Sequence, residues 1–92
     1  MTDILDLKLG VSPDAATSAL GDETVILHLV NGVYYGLDPV GTRIWELIKQ
    51  GVATREICRL LAEEYEVDRS TIEADARRFL TDMESRGILV GV

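Results

Sequence analysis

The sequence predicts an α+β fold of winged-helix type, a three-stranded antiparallel sheet followed by three helices. Three observations carry this expectation. Two β-rich runs, residues 24–30 and 33–37, are separated by Asn31-Gly32, a hairpin signal. Asp38-Pro39 then marks an abrupt helix start, a capping side chain followed by proline at the first helical position. From there to Gly87 the apolar residues recur with helical spacing. Strands grouped first and helices grouped after them indicate α+β.

Residues 1–11 carry Ile4, Leu5, Leu7, Leu9 and Val11 with no stable period and read as an N-terminal arm or a first strand. Pro13-Asp14 marks a turn, residues 15–20 a weak strand, and Gly21-Asp22 its end. In residues 24–30, alternation puts Val25, Leu27 and Leu29 on one face and Ile26, His28 and Val30 on the other. Asn31 and Gly32 both tolerate positive φ, so a two-residue type I′ turn is expected. The return strand sets Val33, Tyr35 and Leu37 on one face, with Tyr34 and Gly36 opposite.

The first helix is expected over residues 39–50. Its apolar stripe is Val40, Ile44, Leu47 and Ile48, with Trp45 at the margin and Gly51 as the stop. Thr54 is expected to cap a second helix reaching Tyr65, whose buried side carries Ile57, Leu60, Leu61 and Tyr65. Asp68 or Ser70 is expected to cap the third, because Ser70-Thr71-Ile72-Glu73 has capping-box spacing. Ile72, Ala76, Phe79, Leu80 and Met83 form its stripe, Gly87 ends it, and residues 88–90 return along the body. The short link Glu66-Val67-Asp68 gives the helices the look of a helix-turn-helix beside a β-hairpin wing.

Ninety-two residues, 47% of them hydrophobic, suit a single domain over residues 1–92 with one modest core. The opening Met1-Thr2-Asp3-Ile4-Leu5-Asp6 is short and acidic, unlike a secretory signal, and no apolar stretch approaches the ~20 residues of a membrane span. A cytoplasmic location is expected. The lone Cys58 has no disulfide partner and sits in a helical pattern as a small apolar residue. His28, the only histidine, is expected half-exposed on the sheet's outer face, without the companions a metal site or a nucleophile would need. Gly32, Gly36 and Gly41 lack the spacing of a phosphate loop. Glu63, Glu64 and Glu66 read as a solvated helix end. No catalytic, cofactor-binding or metal-ligating residue is predicted, and the chain is not expected to be an enzyme. Sixteen acidic against nine basic residues, a net charge of −7, argues against phosphate-backbone binding.

Binding is the chemistry that remains. Little chain is left to cover the far edge of residues 33–37, and an open strand edge beside a helix can capture another chain as an added strand. Tyr34 and Tyr35 supply amphipathic area there. The third helix brings Phe79 and Met83 beside Arg77 and Arg78, so the expected groove has main-chain hydrogen-bonding groups, an apolar floor and a few charges.

The run Glu23-Thr24-Val25-Ile26-Leu27, then the segment from Asn31-Gly32-Val33-Tyr34-Tyr35-Gly36-Leu37-Asp38-Pro39 to Ile44-Trp45-Glu46-Leu47, resembles PqqD-like proteins. Ile57 to Leu61, Tyr65-Glu66-Val67-Asp68, Asp75-Ala76-Arg77-Arg78-Phe79-Leu80 and Gly87-Ile88-Leu89 continue the likeness, which spans roughly residues 20–90. These are RiPP recognition elements, which hold the leader segment of a ribosomally made precursor peptide. The resemblance implies that the leader docks as an extra strand in the cleft between the third strand and the third helix. It implies Val33, Tyr34, Tyr35, Gly36 and Leu37 as the receiving strand. It implies Asp75, Arg78, Phe79, Asp82 and Met83 as the facing helix. Within the family the chain looks most like the stand-alone B1 proteins of lasso-peptide biosynthesis. Those pass the precursor to a separate, cysteine-protease-like leader peptidase, after which an ATP-dependent cyclase closes the ring. The alternative within the family is a peptide chaperone for a radical-SAM enzyme. Two other classes compete: a winged-helix DNA-binding regulator, and a module that self-associates through the open edge.

Overall fold

The computed structural model describes residues 2–20 and 23–92. After a 3-10 turn at Ile4–Asp6 come β1 (Leu9–Val11), β2 (Ala15–Leu20), β3 (Glu23–His28) and β4 (Tyr34–Leu37). Then follow α1 (Pro39–Lys49), α2 (Thr54–Tyr65), α3 (Arg69–Ser85) and β5 (Leu89–Gly91). The expected three-stranded antiparallel sheet is present in the order β2-β3-β4. The N-terminal arm does more than pack: β1 pairs antiparallel with β5, Leu9 opposite Gly91 and Val11 opposite Leu89, closing the two chain ends together. The turn expected at Gly21-Asp22 lies outside the described residues.

The hairpin departs from the expected two-residue turn. β3 ends at His28, and residues 29–32 form a longer loop in which only Gly32 takes a positive φ, +72°. His28 N–H donates to the Val33 carbonyl at 2.9 Å, and Gly32 N–H to the His28 carbonyl at 2.8 Å. Leu29 N–H donates to the Asp14 carbonyl at 2.7 Å, and side chains satisfy the remaining amides. His28 Nδ1 accepts from the N–H groups of Val30 at 3.2 Å and Asn31 at 3.4 Å, and Asn31 Oδ1 accepts from Val33 N–H at 3.0 Å. His28 is half-buried on the same side as Ile26, not on the outer face. A Cβ at Gly87 would sit 3.2 Å from its Nε2.

Asp38 caps α1 as expected, accepting from Gly41 N–H at 2.7 Å, and Gly51 with φ +83° stops it. The side-chain capping bonds expected for the other two helices do not form. Ala53, not Thr54, occupies the N-cap of α2, and the Thr54 hydroxyl instead donates to the Leu5 carbonyl, tying the arm down. Asp68 takes the N-cap position of α3, one of the two expected, but its side chain makes no capping hydrogen bond, and the Ser70 capping box is absent. Its acidic member, Glu73, accepts from Arg69 Nε at 3.2 Å instead, so a guanidinium takes up the carboxylate that the box would use.

The core lies where α1, α2 and α3 meet the inner face of β3, and Ile26 is completely buried there. Trp45 is 1% exposed, a core residue and not a marginal one. α1 packs against β1 and β3 as well as α2, so its buried arc is wider than one stripe. Tyr65 is the converse: at the last position of α2 it is exposed. Cys58 is fully buried, and burial first, then the Glu73 charge, pushes its thiol up, away from reactivity. No helix among the described residues is long and apolar enough to cross a membrane.

Charges fasten the arm. Arg77 donates to Asp3 through Nη2 at 2.8 Å, and Arg55 to Asp6 through Nε at 2.6 Å. The Arg77 hydrogen bonds, then the Leu5 N–H, lower the Asp3 pKa from 3.8 to about 2. A carboxylate whose folded pKa is depressed contributes stability above its unfolded pKa and loses it as pH falls through the folded one. The arm's attachment is therefore expected to weaken between about pH 4 and pH 2. Melting temperature followed over that window should fall more steeply for the parent than for Asp3→Asn. Equal slopes would remove Asp3 from the account.

Candidate functional site

β4 is an edge strand: β3 pairs one side and, among the described residues, no strand pairs the other. The bond between His28 N–H and the Val33 carbonyl sets the alternation. Tyr35 and Leu37, opposite Ile26 and Thr24, turn their main-chain groups to β3, so Tyr34 and Gly36 turn theirs to the open edge. The five expected strand residues thus divide by task. Gly36 and Tyr34 offer main-chain donors and acceptors. Tyr35 and Leu37 send their side chains inward, half-buried and buried respectively. Val33 precedes β4, with its N–H held by Asn31. Gly36 is exposed, and a Cβ there would meet nothing within 4 Å. Tyr34 is 68% exposed on the outer face.

Across from this edge lies α3. Phe79 is half-buried and rests on the first turn of α1, where a Cβ at Gly41 would come within 3.1 Å of its ring. Glycine at 41 therefore makes the room that the ring occupies. Beside it opens a hollow of about 350 Å³, floored by Gly41, Ile44 and Phe79 and rimmed by Asp75 and Arg78. Asp75 and Arg78 form an ion pair on the exposed shoulder of the helix. Met83 is a correction. It is 5% exposed and joins Ile72, Ala76 and Leu80 in the core, so it presents no surface to the cleft. The helical phase puts residues 75, 79, 82 and 86 on the cleft side instead.

Arg86 was not among the expected site residues. Its guanidinium carbon lies 5.0 Å from the centroid of the Tyr35 ring, and its Nε donates to Asp82 at 2.9 Å. Asp82 first, and the Tyr35 hydroxyl second, hold the guanidinium above its ordinary pKa. The spacing Asp82 to Arg86, one helical turn, was the available signal. Its place over Tyr35 depends on how β4 and α3 pack and is invisible in sequence. A second hollow, about 430 Å³, lies between Leu5–Leu9 and the α1–α2 loop.

The family profile of Coenzyme PQQ synthesis protein D (PqqD) matches residues 23–89. The chain belongs to the PqqD family. The matched span takes in β3, β4, all three helices and the start of β5, so it contains both walls of the cleft. Among solved structures, this PqqD-family chain is similar to that of TbiB1 in complex with the TbiA(beta) leader peptide. Identity is 41%, the match covers 90% of this chain and 96% of that one, and the TM-score is 0.86. The structure of a lasso peptide synthetase B1 complexed with the leader peptide has the same fold. Its TM-score is 0.84, with 22% identity over 90% of this chain and 98% of that one. No curated protein matches this PqqD-family chain in sequence.

Proposed function

We propose that this chain is a non-catalytic, cytoplasmic RiPP recognition element of one domain. It captures the leader of a ribosomal precursor peptide by strand addition to β4 and presents it to a separate leader peptidase in lasso-peptide biosynthesis. The observation that carries the reading is the edge of β4, left unpaired among the described residues at Tyr34 and Gly36, close to a hollow between α1 and α3 floored by Gly41, Ile44 and Phe79. Strand addition takes affinity from main-chain bonds and specificity from side-chain pockets, and both parts are present. The likeness to TbiB1, solved with a leader peptide, supports the same use of the cleft here. The lasso pathway, the peptidase and the cyclase follow the sequence resemblance to stand-alone B1 proteins.

Val33 to Leu37 on the strand, with Asp75, Arg78, Phe79 and Asp82 on the helix, are the proposed contacts. The DNA-binding alternative fits poorly. Arg69, Arg77, Arg78 and Arg86 each pair with a carboxylate, which leaves α3 without the basic excess that phosphate contacts require.

The test is fluorescence anisotropy of a labelled leader, taken from a short reading frame encoded beside this chain. Saturable binding that a scrambled leader loses is the expected result; a folded protein that binds no such leader would sink the reading. Tyr35→Ala and Phe79→Ala should each weaken binding by about 1–3 kcal/mol, the usual hot-spot range. Full affinity in both folded variants would move the site elsewhere. A neighbouring gene for a peptidase with an asparagine-synthetase-like cyclase would fit the lasso pathway, and a radical-SAM gene the chaperone alternative.

A further inference from the structure

We propose that the corner formed by Tyr35 and Arg86 is a carboxylate-binding subsite. The captured strand then carries an acidic residue beside Tyr35 and an apolar residue, two positions along, beside Leu37. This deepens the leader-binding reading and rests on it.

Tyr35 and Leu37 share the face of β4 that looks toward α3. A strand added to the Tyr34 and Gly36 edge has the same two-residue period, so its residues beside Tyr35 and Leu37 both face α3. The two ends of the cleft differ in chemistry. The Leu37 end opens onto an apolar floor of Gly41, Ile44 and Phe79, with Asp38, Asp75 and Arg78 at its rim. The Tyr35 end is closed by a guanidinium.

That guanidinium differs from every other among the described residues. Arg43, Arg55, Arg59, Arg69, Arg77 and Arg78 all donate from a terminal nitrogen to a carboxylate or a carbonyl. Arg86 meets its carboxylate, Asp82, through Nε alone, and its other hydrogen-bonding partner is the neutral Tyr35 hydroxyl. Its side chain is 45% exposed, so solvent and a ligand can reach it. Asp82 and the aromatic face fix the plane of the group, and a fixed planar fork is the geometry that a carboxylate accepts bidentately. The chain's net charge of −7 opposes an acidic ligand at long range, but screening beyond ~8 Å at physiological salt leaves the nearest charge to decide.

The experiment uses the full chain and leader peptides acetylated and amidated at their ends, so that only side-chain carboxylates remain. Each Asp or Glu of the leader is changed singly to its amide, and anisotropy is read with the parent, Arg86→Met and Arg86→Lys. One acidic position is expected to cost about five- to tenfold with the parent and nothing with Arg86→Met. Arg86→Lys should recover part of that difference, because charge returns without the fork. Arg86→Glu should recover affinity for a leader with lysine at that position. Tight binding of the amide leader by Arg86→Met shows the variant folded. If the parent binds but no acidic position costs more than about twofold, or the cost persists in Arg86→Met, the subsite is overturned and leader capture stands. If the parent binds no leader at all, both fall together.

Discussion

Gly36→Pro should lower leader affinity about thirtyfold or more, while Gly36→Ala stays within about twofold of the parent. The contrast follows from where position 36 points its atoms. Its side-chain direction is empty, with nothing within 4 Å of a Cβ, so a methyl group meets no obstacle. Its N–H points to the open edge of β4 and is a donor that an added strand needs. Proline deletes that donor, leaves an incoming carbonyl unpaired and puts ring atoms in its way. The fold should survive, because no ladder bond to β3 is lost and proline is tolerated on an edge whose N–H faces solvent. Anisotropy beside a thermal melt checks both halves. Equal affinities for the two variants, with both folded, would mean that main-chain addition to β4 is not how the ligand is held.

Trp45→Ala should cost about 3–5 kcal/mol of folding stability, against the ~5–10 kcal/mol available to a chain of this size. Trp45 is 1% exposed and belongs to the same buried core cluster as Ile26, Leu61 and Leu80. Removing it empties the largest side-chain volume in the core. Trp45→Phe should be far milder, within about 1–2 kcal/mol. The indole N–H finds no acceptor among the described residues, so the smaller ring loses contacts but also relieves a buried unpaired donor. Urea titration of the two variants reads the difference directly. A loss below about 1 kcal/mol for Trp45→Ala would place the core elsewhere than around α1.

The N-terminal arm tests how far sequence reading reaches. Its apolar residues have no stable period, and β1 becomes a strand only because β5, some eighty residues on, supplies a partner. Thr54 and Ser70 show a related limit. Both have the chemistry and spacing of helix caps. Yet the Leu5 carbonyl draws the Thr54 hydroxyl away, and Arg69 takes up Glu73. Asn31-Gly32 likewise has the composition of a two-residue turn, but His28 Nδ1 accepts from the loop's amides and lengthens it.

Local physics was enough for the strand pair ending at Leu37, the cap at Asp38, the glycine stops at positions 51 and 87, and the apolar stripes of three helices. Each of these depends on contacts within a few residues along the chain, which a period or a dipeptide records. The cleft between the last strand of the sheet and the third helix was suggested by the open strand edge together with the resemblance to PqqD-like proteins. Tertiary packing alone decided which atoms face that cleft: the main chain of Tyr34 and Gly36, Phe79 seated on Gly41, Met83 withdrawn into the core, and Arg86 laid over Tyr35. The reason is that a helix's phase against a strand is set by long-range packing, where a shift of one residue turns a side chain by about 100°, more than the width of a cleft wall.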